Sequence, residues 1–240
     1  MHQTVTIWHF DEVSEEWRKS IWKNASIPIT FIRVDPEDLT VTIRGIINTF
    51  SDLSWVSKFD KEYIRSSFEK RAMDTADYLA DNLKLNKDDS VTGSTGEYVV
   101  SELARTAIVT ELNYLDIPLA ELFKEQVVGN PGFDYYSANN ADIIIFGEAK
   151  YLASKNAYGS GMSQVNRFIK ENQDIADLID ISCFFKDKSL NAANRGEKAY
   201  AIAFSSKGTS TEKIITGIKK NKNYNDLIKY KELIFVAVNI

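Results

Sequence analysis

Gly132-Phe133-Asp134-Tyr135, followed shortly by Asp142-Ile143-Ile144-Ile145-Phe146-Gly147-Glu148-Ala149-Lys150, is the stretch whose reading decides the fold. It predicts two short strands, the first carrying an Asp and the second ending in Glu-x-Lys. Side chains alternate along a strand, so Glu148 and Lys150 share one face while Gly147 and Ala149 point to the other. With Asp134 on the neighbouring strand, two carboxylates can share a hard divalent cation, which prefers oxygen ligands, and the lysine can orient or stabilise an attacking water. Phosphodiester hydrolysis needs those parts. The pair emerges from the apolar run 143–146, so it does not read as a solvated face. The competing account of Glu148 and Lys150 is a salt-bridged strand end at a sheet edge. For Asp134 it is a turn residue after Asn130-Pro131-Gly132, although Phe133, Tyr135 and Tyr136 favour a strand.

Working outward, the spacing predicts a core with a helix over 95–113, strands over 121–128, 132–138 and 142–151, and a helix over 160–180. A strand over 198–206, a helix over 211–228 and a strand over 232–239 complete it. The last two strands are nearly continuous apolar runs, as in strands covered on both faces. Strand and helix alternate late, so the sheet is expected to be mixed. Before this core lie β-branched stretches at 4–10, 29–34 and 39–43, an amphipathic helix over 58–85, and a polar linker from Asn86 to Gly96. The expected organisation is a small N-terminal α+β region, 1–90, and a core, 91–240.

Glu97 opens the helix ahead of the Asp and the Glu-x-Lys set. Ser94-Thr95-Gly96-Glu97 also has the spacing of a capping box, in which the Glu reaches back to the helix's first amide, and that explains Glu97 without chemistry. Gln164 begins the helix after the motif and reads either as an exposed helix residue or as a polar group facing the site. Lys155, Arg167, Lys170 and Lys219-Lys220-Asn221-Lys222 are candidate phosphate contacts or ordinary solvated charge, and Tyr151 and Tyr158 are candidate stacking residues.

The order Gly96-Glu97 on a helix, then Gly132-Phe133-Asp134, then Gly147-Glu148-Ala149-Lys150-Tyr151 resembles the PD-(D/E)XK nuclease superfamily. It is more closely similar to the family containing HamA, the effector subunit of the Hachiman anti-phage system. The match covers roughly the C-terminal two thirds of the chain, and Gly132-Phe133 stands where the superfamily name has Pro. The resemblance implies an α/β fold with a restriction-endonuclease-like core: a helix, a three-stranded meander, a second helix and a further strand. It also implies a DNA endonuclease that uses Mg²⁺ (or Mn²⁺), with Asp134, Glu148 and Glu97 as metal ligands, Lys150 at the reacting water and Gln164 in support. A separately encoded helicase partner and restraint of cleavage until that partner meets aberrant DNA are further implications. A stand-alone restriction endonuclease and a non-catalytic DNA-binding or assembly subunit are the other readings.

Composition narrows the field. At 240 residues and 44% hydrophobic, the chain holds ample material for a packed core. No apolar run is long enough to span a bilayer and the first residues lack a signal-peptide pattern, so a cytoplasmic protein without membrane association is expected. The histidines, His2 and His9, are far from the acids, which weighs against mechanisms needing a His base. No Gly-x-x-x-x-Gly-Lys-Ser/Thr loop is present, so an ATP-driven motor would be another protein. The single Cys183 excludes an internal disulfide and reads as a buried small hydrophobe. A net charge of -5 argues against coating of DNA by global electrostatics but not against a local positive groove.

Overall fold

The computed structural model describes residues 3–9, 27–84, 93–124 and 132–240. His2, Phe10, most of the expected linker (86–92), and Asn130 and Pro131 lie outside them. The fold is α/β, built on one mixed six-stranded sheet flanked by helices. Its strands are β1 Gln3–His9, β2 Ile29–Pro36, β3 Tyr135–Ala138, β4 Ile144–Lys150, β5 Ala199–Ser205 and β6 Leu233–Val238, in the order β1-β2-β6-β5-β4-β3. The four central strands run parallel, and β1 and β3 add antiparallel edges. Every residue of β5 and β6 is buried, as both faces of parallel strands must be. The sheet also runs across the expected boundary near residue 90, because Ile29 of β2 stands beside Leu233 of β6.

The helices are α1 Leu39–Ser51, α2 Glu62–Lys84, α3 Gly93–Leu112, α4 Ala120–Phe123, α5 Tyr158–Lys170, α6 Gln173–Ala176, α7 Asp187–Asn194, α8 Thr211–Lys220 and α9 Tyr224–Leu227. Among the described residues none is long and apolar enough to cross a membrane. Several expectations are corrected. Residues 39–43 form the start of α1, not a strand. Asp38 caps it by accepting the Val41 N–H at 2.9 Å, and Ile46 and Phe50 continue the buried side at helical spacing, so cap and period together override the local β-branched preference. The expected strand at 121–128 begins as α4, while 125–128 lie outside the described residues, so only the β3–β4 hairpin of the expected meander is seen among the described residues. The long helices at 160–180 and 211–228 are each broken. Asn172, left-handed at φ 55°, separates α5 from α6, and an Asx turn at Asn221, whose Oδ1 accepts the Asn223 N–H, separates α8 from α9.

The segment that decided the reading is pinned firmly. Asn139 Oδ1 accepts the N–H groups of both Ala141 and Ile143 at 3.0 Å, and Asp142 turns left-handed, so the β3–β4 hairpin closes tightly. Tyr135 stands opposite Gly147, and a Cβ at Gly147 would run into the Tyr135 ring, so only glycine leaves room there. Cys183 is exposed, contrary to expectation. It lies in a turn-rich stretch after α6, outside any strand.

Candidate active site

Phe133 carries the Asp into place. Its ring is buried against Phe146, Phe168 and Tyr200 at 5.2–5.9 Å between centroids, and its N–H donates to Asp177 Oδ2 at 3.0 Å. Asp177 is held in turn by Lys124 Nζ (2.7 Å) and the Tyr136 hydroxyl (2.6 Å). Asp134 follows one residue ahead of β3. Its N–H donates to Gly147 O at 2.9 Å, its carbonyl accepts the Ala120 N–H at 2.9 Å, and its Oδ2 accepts the Ala149 N–H at 2.6 Å. The carboxylate is therefore fixed beside the end of β4 by main-chain groups. Asp134 itself lies at a bend just before β3, and its N–H joins the hairpin's hydrogen bonding.

Glu148 is 1% exposed, on the β4 face shared with Lys150. Lys150 Nζ stands 3.0 Å from Glu148 Oε1 and 3.2 Å from Glu97 Oε1. Glu97 comes from α3, which starts at Gly93. Ser94 therefore lies inside the helix and Glu97 beyond its first turn, so the capping-box expectation gives way to a contact with Lys150. Gly96 allows close packing here, because a Cβ would strike the Tyr151 ring. Tyr151 is thereby buried, with Lys207 Nζ 4.5 Å from its ring centroid, and is not free to stack on a base. Gln164 is half-buried on α5, Arg167, Lys170, Lys155, Lys220 and Lys222 are exposed, and Tyr158 packs edge-on against Phe204.

Sequence reasoning missed Glu121. It sits on α4, which the Ala120–Asp134 hydrogen bond ties to the Asp134 backbone, and Asp134 is the charge that acts on it most strongly. Glu97 and Glu148 thus gather around Lys150 with Asp134 nearby, and Glu121 lies close enough to feel the charges of Asp134, Lys124 and Glu97. Burial pushes the Asp134 carboxyl up to about 6, against the pull of Lys150 and the Ala149 N–H. Burial first and Asp134 second push Glu121 up to about 8. The same two causes, in that order, hold Glu148 well above the carboxylate range. Burial disfavours the Lys150 ammonium, but Glu148, Asp134 and Glu97 outweigh it and keep Lys150 charged well past its ordinary range. Tyr98, beside Glu97, is pushed up to about 12 by burial and by Glu121.

Crowded carboxylates make a prediction. The unfolded chain releases these protons near the ordinary values, whereas the folded chain keeps those of Asp134 and Glu121 until about 6 and about 8. The folded state binds more protons in between, so metal-free stability falls as pH rises from about 4 to about 8. Lys150 is charged in both states throughout and contributes no slope there. Calorimetry in EDTA is expected to show a melting temperature lower at pH 8 than at pH 5 by at least several degrees, since both raised carboxyls lose their protons over that range; a flat or rising profile would refute the crowding.

The donor set is all hard oxygen plus one amine, and Glu148 Oε2 and Glu121 Oε2 are buried without a hydrogen-bond partner. Those oxygens fit Mg²⁺ or Mn²⁺. Among the described residues no group of three or more His, Cys, Asp or Glu side chains stands in position to hold a metal ion as they lie. Mg²⁺, however, is commonly held by one or two carboxylates and otherwise by water and substrate oxygens, and Asp134 and Glu148 supply that minimum. No family model matches the chain, and neither a curated protein nor a solved structure does.

Proposed function

We propose that the chain is a metal-dependent DNA endonuclease with a PD-(D/E)XK-type active site, and that it serves as the effector subunit of a Hachiman-type anti-phage system alongside a helicase. The observation that carries the chemical part is the placement of Lys150 between Glu148 and Glu97, with Asp134 pinned alongside. Asp134 and Glu148, with Glu97, would hold Mg²⁺ or Mn²⁺, which when bound polarises the phosphoryl oxygens and lowers the pKa of water. Lys150, kept protonated by its carboxylate neighbours, offers a donor to the attacking water or to the phosphate. Gln164, half-buried on α5, would support Lys150 or a phosphate. The Hachiman assignment and the helicase rest on the sequence resemblance.

The test is cleavage of plasmid and linear DNA by the purified chain, alone and with any helicase found encoded beside its gene. Cleavage that needs Mg²⁺ or Mn²⁺ and stops with EDTA is expected. Cleavage alone, with site preference and no effect of a helicase, would favour a stand-alone restriction enzyme. DNA binding without cleavage under every condition would favour a non-catalytic subunit.

A further inference from the structure

We propose that Asp177 is a positioning residue for the candidate active site, fixing through the Phe133 main chain the direction in which the Asp134 carboxylate points; this rests on the active-site reading of Asp134. Asp134 precedes the paired residues of the hairpin, which begin with Tyr135 opposite Gly147, and β3 is an edge strand of the sheet. The ladder therefore holds this entry segment on one side only. The Asp134 N–H donates to Gly147 O at 2.9 Å, whereas the Phe133 N–H donates to Asp177 Oδ2 at 3.0 Å. Two successive amides are thus tied to different elements, and the chain between them cannot turn without breaking one of the two bonds. Burial of the Phe133 ring fixes where that residue sits, and Asp177 fixes which way its amide faces.

Asp177 is itself held hard. It is 1% exposed and accepts from the Phe133 N–H, the Tyr136 hydroxyl (2.6 Å), Lys124 Nζ (2.7 Å) and Gln173 Nε2 (3.1 Å). These donors come from the hairpin entry, β3, the end of α4 and α6, so one carboxylate joins four parts of the fold. The left-handed turn at Asn172 starts α6, and the Asp177 N–H closes that helix on Gln173 O at 2.9 Å. Gly132 leaves room for the ammonium, since a Cβ there would run into Lys124 Nζ and come within 3.3 Å of Asp177 Oδ1. A buried ion pair returns little net stability, because desolvation of both charges offsets their attraction, and apolar residues of similar volume would hold such a space as well. What the charged and hydrogen-bonded group adds is direction, which apolar packing does not specify.

The Ala149 N–H, which donates to Asp134 Oδ2 at 2.6 Å, reports where that carboxylate points without regard to activity. The experiment is amide hydrogen exchange by NMR on the metal-free full chain at pH 7, comparing wild type, Asp177→Asn and Lys124→Met, with kcat and KM for plasmid cleavage in Mg²⁺ measured on the same proteins. Asp177→Asn is expected to speed exchange at Ala149 by roughly tenfold or more beyond any change at the amides of β5 and β6, the order for losing one hydrogen bond to a charged group. It is also expected to lower kcat by roughly tenfold or more with KM little changed, as misplacement of a reacting group does. Lys124→Met leaves both Asp177 oxygens but no ammonium beside them; it is expected to move the same amide selectively and less far, and it decides the matter should Asp177→Asn not fold. An equal change at Ala149, β5 and β6 in the variants that fold would make Asp177 a purely structural residue and overturn the proposal. A selective rise at Ala149 in a chain that cleaves no DNA, with metal and with or without a helicase, would uphold the hold of Asp177 on Asp134 and overturn the endonuclease reading.

Discussion

Lys150→Ala is expected to lower metal-dependent DNA cleavage by roughly a hundredfold to ten-thousandfold, the range for loss of a positioned proton donor or acceptor. The loss is chemical, because the side chain supplies a charge at the reacting centre and only a short apolar stem to the core. The substitution also leaves Glu148 and Glu97 without their shared ammonium. Breaking a buried pair costs about 3–5 kcal/mol, and 18% exposure of Lys150 discounts that to on the order of 2 kcal/mol at pH 8. The melting temperature should therefore fall by several degrees at pH 8 and recover at pH 5, where Glu148 can take a proton instead. Single-turnover cleavage assays and melts at the two pH values check both parts. Undiminished cleavage would remove Lys150 from the chemistry, and an unchanged melt at pH 8 would remove it from the carboxylate cluster.

Asp134→Asn is expected to move stability and function in opposite directions. Asn keeps an oxygen to accept the Ala149 N–H, so the hairpin geometry survives. The removed charge is one that the other carboxylates repel, so the metal-free protein at pH 8 should melt no lower, and by up to several degrees higher, than wild type. Mn²⁺ affinity should fall by an order of magnitude or more and cleavage by on the order of a thousandfold, since an anionic ligand and the cation's placement are both lost. Glu148→Gln should behave alike. Calorimetry showing unchanged Mn²⁺ affinity in both variants would refute the cation site at these residues, and destabilisation of both at pH 8 without metal would mean that the carboxylates are structural.

The hairpin was legible in the sequence because its signals are local. Alternation places Glu148 and Lys150 on one face, and the apolar run 143–146 marks a buried strand. Glu97 was legible as a candidate through its order in the chain, but its contact with Lys150, 53 residues away, could not be separated from a helix cap by spacing alone. Glu121 was out of reach. It sits on a four-residue helix set by the Ala120–Asp134 hydrogen bond, and no periodicity is visible over so short a span. The pairing of β2 with β6 was hidden for a similar reason, because it joins residues about 200 positions apart, as Ile29 and Leu233 are. Residues 39–43 misled because β-branched residues favour strands locally, whereas the Asp38 cap and the later Ile46 and Phe50 decide for a helix.

Cleavage is an indirect gauge if a helicase restrains it, so the cation itself is the more direct test. Anomalous diffraction from crystals of the full chain soaked in Mn²⁺ would locate it without regard to activity. A peak is expected within coordination distance of the Asp134 and Glu148 carboxylates, with Lys150 alongside. A peak elsewhere on the protein, or none at these carboxylates at saturating Mn²⁺, would contradict that expectation.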